Sequence, residues 1–133
     1  QSDQFVINRF INQVQTKREI TIYGDGKQVR CFTYIDDAIR GTIAALEYFE
    51  GSNFEVFNIG SNKQTSILEV AEMIIELMKC KGTTIKFVEY GNNGVRPKDI
   101  EIFKRIPCTK KSEKLLGFKA NISLKDGLTK LIS

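Results

Sequence analysis

The stretch GDGKQVRCFTYIDD, residues 24–37, combines a glycine turn, an arginine, two aromatic side chains and a pair of aspartates. Glycine adopts positive φ without steric cost, so the G-D-G start predicts a tight turn. Apolar residues alternate over residues 19–23 and dominate residues 29–35, which predicts a hairpin of two strands. A strand that only fills a core does not need the guanidinium of Arg30, which indicates that this side chain meets an anion.

Hydrophobic periodicity over the rest of the chain predicts helices and short strands. Asp36 and Asp37 are placed to cap a helix that ends near Gly51, and Ser66 and Glu69 have the spacing of a capping box. The predicted helices cover residues 2–16, the segments after Asp37 and Ser66, residues 110–116 and the segment from Ser123 onward, and the further strands cover residues 54–59 and 84–89. These elements predict an α/β domain of α+β character, with a hairpin and about four to five helices.

Length and composition predict one globular domain over residues 1–133. The chain has 41% hydrophobic and 27% charged residues, which excludes disordered and fibrous proteins. Its longest apolar runs fall far short of the ~20 residues that cross a bilayer, and no signal sequence is recognisable. We therefore expect a cytoplasmic protein with no membrane partner.

Charge and cysteine content argue against nucleic-acid and metal sites. The formal net charge is +4, but the lysines are spread along the chain, so we expect no nucleic acid as a partner. The chain has three cysteines, no C-x-x-C pair and no histidine. We therefore expect reduced thiols and no bound metal.

Four motifs follow one another along the chain. They are GDGKQVRCFTYIDD at 24–37, VFNIGSNKQTSILEVA at 56–71, RPKD at 96–99 and RIPCTKKSEKLLGFKANISLKDGL at 105–128. Together they resemble the NAD-dependent epimerase/dehydratase family, the extended short-chain dehydrogenases that act on nucleotide sugars. Cys31 and Cys108 stand where that family prefers aspartate, and we interpret both as changes outside the chemistry.

The resemblance implies that residues 1–133 form the substrate-binding, C-terminal half of an enzyme. The other half in that family carries the Rossmann sheet, the NAD and a catalytic Y-x-x-x-K pair. No G-x-x-G-x-x-G loop occurs in this sequence and its first residue is Gln1, so we expect a fragment that binds no NAD itself and is inactive alone. Tyr23 and Lys27 spell Y-x-x-x-K, but the glycines between them predict a turn instead of the required helix.

The expected ligand is a nucleotide-diphosphate sugar, with UDP-sugars as the first choice, for an epimerase, dehydratase or decarboxylase. The alternative is a stand-alone, non-catalytic module that binds sugar nucleotides or a partner protein. In the family, the strand at residues 54–59 belongs to the Rossmann sheet. Its edge is therefore expected to be exposed in this chain and to pair with, or swap into, another copy.

Arg30 is the first candidate site residue, because a planar guanidinium binds paired phosphate oxygens through two parallel bonds. The residues alone leave open whether Arg30 binds phosphate or pairs with Asp36 or Asp37, and the resemblance favours phosphate. The RPKD loop implies that Arg96 clamps the same diphosphate from the opposite side. Asp99 would then face the ribose hydroxyls or orient Arg96.

Three further residues have a structural and a binding interpretation. Ser66 is expected to cap its helix, and in the family the matching position lies near the nucleotide, where a helix start attracts phosphate. Tyr23 is a candidate to line the base pocket, whereas core packing is expected for Phe5. No residue of this chain is expected to be catalytic.

Overall fold

The computed structural model describes residues 5–16, 19–48, 54–90 and 101–133. Within these ranges the helices are α1 (Val6–Thr16), α2 (Ile35–Glu47), α3 (Ile67–Leu77), α4 (Lys110–Leu116) and α5 (Leu124–Ile132). The strands are β1 (Glu19–Tyr23), β2 (Val29–Arg30), β3 (Thr65–Ser66) and β4 (Thr84–Val88). These helices and two small sheets confirm the predicted mixed α/β class.

Strand pairing differs from the predicted hairpin. β1 pairs with β4 in parallel, in the register Glu19 to Thr84, while β2 pairs antiparallel with β3. The turn forms as predicted, with Gly24 and Gly26 both at positive φ. The chain leaving the turn does not return along β1, because the Gly26 carbonyl accepts from the amide of Leu68 at 3.0 Å. The start of α3 therefore takes the place that the predicted hairpin partner would have occupied.

The core lies where α1, α3 and α5 meet β1. The buried apolar side chains that form it are Phe10, Val14, Ile20, Ile22, Val70, Ala71, Ile74 and Leu128. Alternation along β1 turns Ile20 and Ile22 to this core, as the period-two pattern predicts. The capping box at the start of α3 is also confirmed, so the short β3 leads directly into the helix.

The start of α2 corrects a prediction about the two aspartates. The helix begins at Ile35 with Tyr34 at the N-cap, so Asp36 and Asp37 lie in the first turn and neither caps the helix. Asp37 is buried and holds the chain before α5, because its Oδ2 accepts from two backbone amides there. The aspartate pair is therefore neither a cap nor a pair of equivalent carboxylates.

The buried residues of α2 are Asp37 and Gly41. Gly41 is buried closely enough that a Cβ there would lie 2.4 Å from the side chain of Ile59. Ile39 and Ile43 are about half exposed on the opposite face. Within the described ranges, no helix combines the length and hydropathy needed to cross a membrane.

Two other predictions are wrong: the strand at residues 54–59 and the core packing of Phe5. Residues 54–59 form no strand, and the side chains of Phe54 and Val56 are exposed. Asn58 instead donates to the Cys108 carbonyl at 3.1 Å, which lays this segment beside the start of α4. Phe5 is 70% exposed and so does not pack in the core. The predicted association between copies therefore no longer rests on a strand at residues 54–59, and the association itself stays a prediction.

Candidate functional site

A cavity of about 540 Å³ opens between the start of α1, the end of β1, the chain through β2 and residues 101–107. Its polar and charged lining residues are Arg9, Tyr23, Gln28, Arg30, Thr33, Ser61, Glu101 and Arg105. Three arginines face one glutamate among these residues, which leaves a formal excess of two positive charges. A concave, partly apolar wall with a net positive charge suits an anionic ligand that also has an aromatic or sugar part.

Arg30, the last residue of β2, lines this cavity. Its Nη2 donates to Oε1 of Glu101 at 2.9 Å, and its Nη1 donates to the Val29 carbonyl at 2.9 Å. The side chain of Arg30 is 20% exposed and that of Glu101 is 5% exposed. The alternative partners are excluded, because Asp36 lies beside Lys130 and Asp37 bonds to other groups.

Residues 101–107 contact Arg30 through Glu101 and are also attached to its neighbour Val29 through the main chain. The amide of Val29 donates to the Phe103 carbonyl at 2.7 Å, and the amide of Arg105 donates to the Val29 carbonyl at 3.3 Å. A short parallel bridge between Val29 and Lys104 results. This backbone attachment places Glu101 and Arg105 on the wall of the cavity.

Arg9 is a cavity residue that the sequence reasoning missed. The helix α1 carries it to the cavity, where its guanidinium carbon lies 5.4 Å from the ring centroids of both Phe10 and Tyr23. Its Nη2 also donates to the Thr21 carbonyl at 3.4 Å. The available signal was its position beside the apolar stripe of α1, which fixes a helix face but not what that face meets.

Tyr23 lines the cavity and is held from both sides, and its contact with a nucleotide base stays a prediction. Its ring lies under Arg9, and its carbonyl accepts from Nε2 of Gln28 at 2.8 Å. The same Nε2 donates to the Tyr90 hydroxyl, and Gln28 as a whole is only 4% exposed. Sequence reasoning passed over Gln28, although it stands in the quoted motif two positions before Arg30.

Ser66 does not line the cavity, although its neighbour Ile67 does. The Ser66 hydroxyl accepts from the Glu69 amide at 3.2 Å, and the Glu69 carboxylate accepts from the Ser66 amide at 2.6 Å. Bonds from the amide and hydroxyl of Ser66 lower the pKa of the Glu69 carboxyl below its ordinary value. The capping prediction is confirmed, and phosphate contact at Ser66 stays a prediction.

Arg96 and Asp99 lie outside the described residues, so their predicted approach to Arg30 stays a prediction. Cys31 lines the cavity, and burial raises the pKa of its thiol, which keeps it protonated. All three cysteines are free thiols. In the part of the chain that the structure describes, no three acidic, cysteine or histidine side chains are grouped to hold a metal ion.

Known proteins resemble this chain in sequence and in fold. Residues 1–60 match the family described as the NAD dependent epimerase/dehydratase family. The chain is 40% identical to UDP-N-acetyl-alpha-D-glucosaminuronate decarboxylase of Bacillus cytotoxicus, over 96% of this chain and 38% of that protein. It is 34% identical to UDP-glucuronate 4-epimerase of Thermodesulfobacterium geofontis, over 96% of this chain and 36% of that protein.

Solved structures agree with these matches. A variant of UDP-glucuronic acid 4-epimerase from Bacillus cereus, in complex with UDP-4-deoxy-4-fluoro-glucuronic acid and NAD, superposes with a TM-score of 0.81 at 36% identity, over 97% of this chain and 38% of that chain. The UDP-glucose 4-epimerase of Thermotoga maritima with UDP-glucose superposes with a TM-score of 0.77 at 28% identity, over 98% of this chain and 39% of that chain.

The chain thus spans 38% of the length of the Bacillus decarboxylase and nearly all of its own length is matched. Motif order, the mixed α/β fold and the matched relatives agree with one another. The chain is similar to the NAD-dependent epimerase/dehydratase family: the family model matches residues 1–60, and the named relatives match nearly the whole chain.

Proposed function

We propose that this chain binds a nucleotide-diphosphate sugar, most simply a UDP-sugar, as the substrate-binding part of an NAD-dependent epimerase, dehydratase or decarboxylase. The observation that carries the proposal is the cavity in which Arg30 is gathered with Arg9 and Arg105. The excess of two positive charges matches the two charges of a diphosphate that is esterified at both ends. The named ligands of the relatives, UDP-glucuronic acid and UDP-glucose, support the same class.

Arg30 is the group that we assign to the diphosphate. Its two observed bonds occupy two of the five N–H groups of a guanidinium, so other N–H groups are available to a phosphate oxygen. Charge-assisted bonds of this kind are about twice as strong as neutral ones, and a partly buried site strengthens them further. Tyr23 and Arg9 form a stacked pair that also lines the cavity, and we assign this pair to the base and ribose end of the ligand.

NAD and the catalytic groups are proposed to come from another part of the enzyme. NAD requires a glycine-rich turn between a strand and a helix. The described passage from β3 into α3 is instead closed by the capping box of Ser66, whose hydroxyl is already bonded. Lys27 lies in the turn after Tyr23 and beside Asp25, not on a helix with Tyr23. We assign no NAD site and no catalytic step to the described residues.

Calorimetric titration with UDP, GDP and dTDP tests the proposal. We expect one nucleoside diphosphate to bind most tightly, UMP to bind more weakly, and Arg30→Ala to lose about 2–3 kcal/mol of binding free energy for the tightest ligand. Lys125→Ala is the control, because Lys125 is an exposed cation that pairs with Glu76 away from the cavity. Equal affinities for wild type and Arg30→Ala would refute the assignment.

Two other outcomes separate the alternatives. Steeply salt-dependent binding of any polyanion, without preference for a diphosphate, would indicate general basicity and not a nucleotide site. A stand-alone binding module is distinguished by genetics: the gene would then encode no glycine-rich dinucleotide loop and no helical Y-x-x-x-K pair. Finding both in the same reading frame supports the enzyme.

A further inference from the structure

The side-chain amide of Gln28 is bonded at its nitrogen and without a partner at its oxygen. Its Nε2 donates to the Tyr23 carbonyl at 2.8 Å and to the Tyr90 hydroxyl. Its Oε1 is buried and has no hydrogen-bond partner among the described residues. Gln28 as a whole is 4% exposed, and it lines the cavity that Arg30 also lines. Because buried polar atoms in folded proteins nearly always have a partner, this oxygen indicates a donor that arrives with a ligand.

The bonds of Nε2 fix which way the Gln28 amide faces. An amide nitrogen carries two N–H groups, and the Tyr23 carbonyl and the Tyr90 hydroxyl use both of them. A flipped amide would bring Oε1 against the Tyr23 carbonyl, and two acceptors repel each other. Gln28 therefore offers a ligand an acceptor and no donor.

We propose that Gln28 selects the base of the nucleotide: its Oε1 accepts from the imide N3–H of uracil or thymine. The inference rests on the proposed function, because it concerns one edge of the same ligand. Gln28 adjoins the base end of the cavity, since it bonds to the main chain of Tyr23, whose ring is assigned with Arg9 to the base and ribose. Uracil carries a proton on N3, whereas cytosine has a lone pair there. In the same pose, cytosine would face Oε1 with a second acceptor.

A ribose hydroxyl is the other donor that a nucleotide brings to this end of the cavity. The surroundings of Gln28 favour the base instead. The guanidinium carbon of Arg9 lies 5.4 Å from the centroid of the Tyr23 ring, and both groups are flat and line the cavity. Flat aromatic and guanidinium faces stack on a planar base and not on a sugar hydroxyl. A base held against this pair turns its edge, and not its face, toward a neighbouring amide.

Calorimetric titration of the full chain with UDP and CDP tests the assignment, because both bases have one ring and the ligands differ only at the base edge. We expect wild type to bind UDP about tenfold or more tightly than CDP, since CDP leaves a buried acceptor unpaired. Gln28→Leu removes the acceptor and is expected to bring the ratio of the two affinities close to one. Gln64→Leu is the matched control, because Gln64 is exposed and does not line the cavity. That control is expected to keep the wild-type ratio.

The outcomes are distinguishable. Gln28→Leu also loses the bonds of Nε2, but that structural loss lowers both affinities equally and leaves their ratio unchanged. An unchanged ratio of UDP to CDP affinity therefore overturns base selection while the proposed function stands. If Gln28→Leu instead changes only the preference for UDP over 2′-deoxy-UDP, the oxygen serves the ribose and the proposal is equally overturned. A wild-type chain that binds no nucleoside diphosphate overturns both proposals.

A second measurement needs no variant of Gln28. A UDP that is methylated at N3 has no imide proton, and wild type is expected to bind it about tenfold or more weakly than UDP. Equal affinities for UDP and its N3-methyl derivative would overturn the proposal even if Gln28→Leu does not fold.

Discussion

Asp37 offers the sharpest test of how the C-terminal part of the chain is held to α2. Its side chain is 1% exposed, and its Oδ2 accepts from the amides of Asn121 and Ile122 at 3.0 and 2.9 Å. Its Oδ1 accepts from Nη2 of Arg40 at 2.5 Å, and the same Nη2 donates to the Lys119 carbonyl. One carboxylate thus joins α2 to the residues that precede α5.

The substitution Asp37→Ala removes all three bonds to the carboxylate. Each of the two amide bonds to a charged acceptor contributes about 1.5 kcal/mol or more, whereas the half-exposed Arg40 contributes little. We therefore expect the free energy of unfolding to fall by about 3 kcal/mol, a large part of the 5–15 kcal/mol typical of a domain. Urea unfolding followed by circular dichroism measures the loss.

The neighbouring aspartate supplies the control. Asp36 is exposed and lies 3.6 Å from Lys130, so Asp36→Ala is expected to change the free energy of unfolding by about 0.5 kcal/mol or less. If Asp37→Ala costs no more than Asp36→Ala, the carboxylate does not hold the C-terminal segment and the reasoning is wrong.

The same carboxylate predicts a pH dependence. Burial acts to raise the pKa of Asp37, but the bonds from Ile122, Arg40 and Asn121 outweigh it and lower the pKa below its ordinary value. The folded state therefore binds this proton less readily than the unfolded state does. The stabilisation is complete above the unfolded pKa of about 3.9 and is lost as the pH falls through the lower folded pKa. The stability difference between wild type and Asp37→Ala should shrink below about pH 4.

Three further predictions concern the helices and the surface. Ser66→Ala removes half of the capping box, and urea unfolding is expected to show a loss of about 1 kcal/mol; no loss would contradict the capping role. Gly41→Ala places a Cβ 2.4 Å from Ile59 and is expected to cost about 1–3 kcal/mol, whereas Gly82→Ala, with nothing within 4 Å, is the control. Light scattering is expected to show association between copies, because the side chains of Phe54 and Val56 are exposed, and a monodisperse monomer would count against it.

Features that depend on neighbouring residues were predictable from the sequence. The capping box at Ser66, the turn at Gly24 and Gly26 and the left-handed end of α4 at Gly117 each involve groups a few residues apart. Local hydrogen bonds and steric limits decide such features. The family motif also singled out Arg30 and Tyr23; both line the cavity, and their contacts with a ligand stay predictions.

Features that join distant parts of the chain were not predictable in this way. β1 takes β4 as its partner, although the chain returns to β1 only after α3. Asp37, which the sequence predicted to cap a helix, lies in the first turn of α2 and accepts hydrogen bonds from amides 84 and 85 residues further along the chain. A short apolar run such as residues 54–59 likewise carries strand propensity but cannot specify a partner strand.

By itself, the sequence determined the mixed α/β class, the capped starts of α3 at Ser66 and of α5 at Ser123, and the presence of an arginine that is suited to a diphosphate. Only the tertiary structure decided which groups share the cavity with that arginine. They are Arg9 from α1 and Glu101 and Arg105 from residues 101–107, and not Asp36 or Asp37. The reason is physical. Helix caps and turns are closed by bonds between near neighbours, whereas the charge balance of a cavity is set by side chains that only packing brings together.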